Sequence, residues 1–105
     1  MTGWLRVSHR EIDDAQSTPY EPFHAHRREQ RLRPEEIVPV DIAIWPTGMI
    51  WHKGQQLLVV VAGHDPGPPS MIPVPGPVTR NKGEHIIHTG GKYDSHLFVP
   101  VIPGR

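Results

Sequence analysis

Cysteine is absent from this chain. That excludes disulfide frameworks, thiolate metal sites and cysteine nucleophiles together. Long apolar runs are absent too, and none approaches the roughly 20 residues a membrane-crossing helix needs. Net charge is missing: 11 basic residues cancel 11 acidic ones, so neither nucleic acid nor a membrane is an expected partner. The opening "MTGWLRVSHRE" has no apolar signal core, which favours a soluble, cytoplasmic protein. The serine-hydrolase elbow G-x-S-x-G is missing as well. Ser8, Ser17, Ser70 and Ser95 all lack the glycines two before and two after that let the sharp turn form. No catalytic residue is therefore expected within these 105 residues. That length suits one small domain, 1–105, with a modest core and no room for a deep catalytic cleft. A hydrophobic content of 36% and a mean hydropathy of −0.44 are low for a sandwich standing alone.

What the chain has in abundance is punctuation. Its 13 prolines and 10 glycines imply many short elements with frequent breaks. "GWLRVSH" alternates with a period of two and reads as a strand. The stretch 9–36 reads as a long polar excursion lying across a surface, broken by Pro19, Pro22 and Pro34. Within it "RREQRLRPEE" is the one weak helix candidate. Val38, Val40, Ile42 and Ile44 then share one face of a strand, with Pro39, Asp41, Ala43 and Trp45 on the other. Pro39 cannot donate to a ladder, which puts this strand at an edge or a bulge. "WPTG" and "KGQQ" are turn chemistry around a short strand, "MIWH". "LLVVVAG" reads as a strand buried on both faces, or with one face awaiting a partner. A proline-glycine loop, "HDPGPPSMIPVPGPVTRNKG", leads to two last strands, "EHIIH" and "SHLFVPVIP", joined by "TGGKYD".

Side chains able to bind are few. Trp45, Trp51, His52 and His64 are the candidates for a ligand-binding surface, the rings offering stacking and the imidazoles hydrogen bonds. The plainer reading of the tryptophans is cover for a core edge. His24 and His26 share a face in an extended segment, whereas His85 and His88 point apart, and no strong metal spacing appears. No metal and no cofactor is expected. The basic run "RREQRLR" is followed by Glu35 and Glu36 and reads as a solvated face.

The order of phrases is more specific than any motif. "GWLRVSHREID", "STPYEPFHAH", "RPEEIVPVDIAIWPTGMIWHKGQQLLVVVAGHD" and "HIIHTGGKYDSHLFVPVIP" together resemble the C-terminal region of the X-prolyl dipeptidyl-peptidase and cocaine esterase-like (CocE/NonD) serine hydrolases. The resemblance runs from Gly3 to Pro103, and 36–65 is its most telling part. It implies an all-β, jelly-roll-like sandwich of the galactose-binding-domain type, and specifically its C-terminal half. It implies that the serine, aspartate and histidine of catalysis lie in another domain, so none is carried over here. Leu58 and Val60 depart from the family's pattern, standing where polar residues are frequent.

The expected role is then a non-catalytic portion of a serine hydrolase acting on esters or peptides, packing on the hydrolase and cap domains and shaping the active-site region. Half a sandwich leaves Val38, Val40, Ile42 and Ile44 needing cover. The expected cover is the parent's α/β-hydrolase and cap domains, or a second copy in a dimer. The alternative is an independent β-sandwich module binding a carbohydrate or small ligand through the tryptophans and nearby histidines.

Overall fold

The computed structural model describes residues 1–63 and 83–103. The chain divides into two compact units. One is Met1–Lys53 with Phe98–Arg105, and the other is Gly54–Leu97.

In the first unit, pairing begins at the N-terminus. Gly3 bridges antiparallel to Ile44, and the Trp45 N–H donates to the Thr2 carbonyl at 3.1 Å. Glycine is needed at position 3 for space, because a Cβ there would collide with the backbone carbonyl of Ala43. The chain then leaves the extended form that the alternation of "GWLRVSH" suggests. Val7–His9 is a single 3₁₀ turn, closed by the His9 N–H on the Arg6 carbonyl at 2.8 Å. Arg10 explains the departure. Its guanidinium donates to the Val7 carbonyl at 3.1 Å and to the Gln30 carbonyl at 2.6 Å, which pulls the backbone round.

The polar stretch closes on itself. Ile12 and His24 form an antiparallel bridge flanked by Asp13 N–H to Phe23 O (2.8 Å) and Ala25 N–H to Glu11 O (2.9 Å). The loop between them is built from side chains that mimic backbone. Asp13 Oδ1 accepts from the Ala15 and Gln16 amides, an Asx turn. Ser17 Oγ accepts from the Phe23 amide at 2.8 Å. Thr18 and Glu21 exchange backbone bonds around Pro19 and Tyr20, and the Tyr20 ring rests 5.4 Å from Phe98. The weak helix candidate is no helix. Pro34 and Glu35 occupy the centre of a tight turn, with Glu35 at φ 62°. Glu36 compensates with two bonds to Arg33, its amide to the carbonyl and its carboxylate from the amide.

In the second unit the described residues are 54–63 and 83–97. There Gly90 bridges antiparallel to Tyr93, with the Tyr93 N–H on the Gly90 carbonyl at 3.0 Å. Gly91 has φ 58° at the first central position of this turn, the requirement that glycine meets at least cost in a hairpin. Around it Ser95 Oγ donates to the His88 carbonyl, and the His88 and Tyr93 rings lie 4.9 Å apart.

Candidate interaction surface

No hydrophobic side chain is buried among the described residues. The most enclosed residue is an acid, Asp13, at 8% exposure. Its carboxylate collects the Ala15 and Gln16 amides, the Gln16 side-chain amide at 3.2 Å and the Arg27 guanidinium at 2.6 Å. The Gln16 side-chain bond does most to hold its pKa below the usual carboxylate range; burial opposes it, and the positive charge of Arg27 and the Gln16 and Ala15 amides add to the lowering. Glu11–Arg28 and Glu29–Arg31 pair beside it, and the Arg31 hydrogen bond lowers the Glu29 pKa. The polar excursion is thus a self-satisfied surface.

The apolar segments are the opposite. Val38 and Ala43 are half-buried, but Val40, Ile42 and Ile44 are exposed, as are all five residues of 57–61. Both faces of "LLVVV" are thus largely open, from Leu57 at 45% exposed upward. Ile50 (83% exposed) and Leu58 (82%) are the most open large hydrophobic residues of 37–61. A transferred leucine or isoleucine gains about 1.5–3 kcal/mol on full burial, so each such side chain is an unmet demand for cover. Each unit by itself thus carries apolar side chains open to solvent, the kind of residue an interaction face uses.

Of the candidates for small-ligand binding, Trp45, Trp51 and His52 belong to the first unit. Trp45 is 77% exposed and Trp51 44%, and neither stacks on another ring among the described residues. His52 is exposed. His64 lies outside the described residues.

One cluster was not legible beforehand. His9 and His26 face each other with Nδ1 to Nδ1 at 3.3 Å, and the His24 ring stands 6.2 Å from His26. The neighbours in sequence, His24 and His26, suggested a pair. The structure instead joins His26 to a histidine 17 residues away. The Ile12–His24 bridge folds the chain back and delivers it there, and His24 turns its own Nε2 to the Asp41 carbonyl at 2.8 Å. His26 reaches across from a left-handed backbone (φ 50°), which costs a side-chain-bearing residue about 1–2 kcal/mol.

The chain has proline-broken segments and, among the described residues, exposed apolar side chains. It belongs to the X-Pro dipeptidyl-peptidase C-terminal non-catalytic domain family, whose model matches residues 1–98. No curated protein and no solved structure matches it. The family match agrees with the resemblance carried by "RPEEIVPVDIAIWPTGMIWHKGQQL" and its flanks.

Proposed function

We propose that this chain is the packing portion of an X-Pro dipeptidyl-peptidase or cocaine esterase-like (CocE/NonD) serine hydrolase. It sits on the α/β-hydrolase and cap domains and shapes the approach to their active site. The chemistry there is acyl transfer to serine followed by hydrolysis of an ester or peptide, and none of it is done by this chain. The observation that carries the reading is the open apolar side chains of each unit: Val40, Ile42, Ile44 and Ile50 in the first and 57–61 in the second are exposed, and among the described residues no hydrophobic one is buried. The fold we propose for the assembled state is a jelly-roll-like β-sandwich of which this is the C-terminal half. Support comes from the apolar alternation at 38–44 and from the antiparallel sense of the bridges among the described residues.

The test is reconstitution. An X-Pro dipeptidyl-peptidase trimmed of its own C-terminal domain is mixed with this chain, and both association and hydrolysis of an X-Pro nitroanilide are measured. Binding with a raised kcat/KM is expected. A folded chain that neither binds nor alters the kinetics overturns the reading.

The exposure of Trp45 favours a second reading, an independent module that stacks a sugar or small apolar ring. Oligosaccharide binding that disappears in Trp51→Ala and Trp45→Ala, with folding intact, would support it.

A further inference from the structure

We infer that His9 and His26 form a two-histidine site for a borderline divalent transition metal, Zn²⁺ being the simplest case. Three features of the chain lead there.

The first is distance. The two Nδ1 atoms are 3.3 Å apart. With zinc–nitrogen bonds of about 2.0–2.1 Å, the edge of a tetrahedral site is about 3.3–3.4 Å. The second is direction. The ring centres are 5.5 Å apart, so both nitrogens point inward along the line between them. Rings aimed at one shared tetrahedral ion stand about 5.2 Å apart, so a swing of a few tenths of an ångström converts the present contact into a chelate. The third is how the pair is held. His9 ends the 3₁₀ turn that Arg10 ties to Gln30, and Gln30 N–H returns to the Ser8 carbonyl at 2.7 Å. His26 follows the Ile12–His24 bridge directly, in a left-handed backbone. Two separately anchored segments therefore present one nitrogen each to a common point.

Among the described residues no third histidine, aspartate or glutamate completes a cage. His24 is committed to the Asp41 carbonyl, Glu11 to Arg28 and Glu29 to Arg31. The ion would keep two positions for water or for an incoming oxygen or nitrogen donor. Imidazole nitrogen with open positions suits zinc, copper or nickel, and does not suit magnesium or calcium. Bound metal would pin the 3₁₀ turn to the 24–26 segment and stabilise the first unit by mass action.

Zinc chloride titrated into the full chain tests this, followed by calorimetry and by long-range proton–nitrogen spectra of the imidazoles. Binding with a one-to-one midpoint is expected, and the Nδ1 signals of His9 and His26 should be the ones that move. His9→Ala and His26→Ala should each weaken binding at least about tenfold, the loss of one of two protein ligands, while His88→Ala leaves it unchanged. A rise in melting temperature with zinc, absent with magnesium, should accompany it. Failure to bind zinc, equal binding by the His9 variant, or movement of other imidazoles instead would overturn the inference. The wild-type spectra decide even if a variant misfolds. None of these readouts depends on reconstituting a hydrolase.

Discussion

The polar stretch 8–36 and the apolar stretch 37–61 solve the same problem in opposite ways. The first has almost nothing to bury, yet its carbonyls, carboxylates and guanidiniums pair with one another, and it contains the most enclosed residue described, Asp13. The second is rich in isoleucine, valine and leucine, and leaves nearly all of them open. Hydrogen bonds and ion pairs can be completed within a short loop, because each needs only one partner at about 3 Å. Hydrophobic burial cannot, because it needs a second surface as large as the first. The locally organised part of this molecule is therefore the part that looks disordered by composition, and the part that looks like a core is the one that waits for cover.

This contrast can be broken from the apolar side first, where the effect should be largest. Ile50→Asp should leave the isolated chain's melting nearly unchanged, since the side chain is already solvated. In the proposed assembly with a hydrolase it should cost on the order of 2–3 kcal/mol of association, the lost burial of an isoleucine plus desolvation of a carboxylate. Binding of the variant to the trimmed hydrolase, measured by calorimetry, checks this. Equal affinity would mean that Ile50 is not in the covered face.

A smaller effect is expected where the two stretches meet the N-terminus. Gly3→Ala places a methyl against the Ala43 carbonyl and should open the Gly3–Ile44 bridge. The cost should be about 1–2 kcal/mol, one hydrogen bond plus local strain. Faster hydrogen exchange at the Trp45 amide, which donates to Thr2, is the readout.

The smallest effect should come from the polar side. The folded Asp13 carboxyl has a lowered pKa, through the Gln16 side-chain bond first and then Arg27. Its contribution to order is thus complete above the unfolded carboxylate pKa and disappears as pH falls through the lower folded value. Protection of the Ala15 and Gln16 amides should fade on acidification below about pH 4, the ordinary aspartate range. In Asp13→Asn that protection should be weaker at neutral pH and flat across the same range. An unchanged acid profile in the variant would show that other groups govern the loop.

Much of the family's signature could be read along the chain. The resemblance ran from Gly3 to Pro103 with 36–65 as its most telling part, and the family match over residues 1–98 includes that part. Turns were legible where one residue type decides them: Gly91 at φ 58° inside "TGGKYD", and Gly54 at φ 90° in "KGQQ". The 3₁₀ turn at Val7–His9 was not, because the alternation of "GWLRVSH" is a local signal and the force that bends it comes from Arg10 on Gln30, 20 residues away. The turn at Pro34–Glu35 was half legible. Proline announced a break in "RREQRLRPEE", but nothing announced a glutamate in the left-handed region, which the Glu36–Arg33 bonds support.

By itself the sequence determined which chemical groups this chain lacks and what it is related to. The missing cysteines, the missing elbow and the cancelled charge are facts of composition, and the order of its phrases is a fact of descent. Tertiary structure alone decided which side chains meet. It put His9 against His26 rather than His24 against His26, gathered Gln16 and Arg27 onto Asp13, and left Ile42, Ile50 and Leu58 uncovered. The reason is physical. Propensity and periodicity act over a few residues, whereas a contact across 14 or 17 residues depends on where the chain turns back.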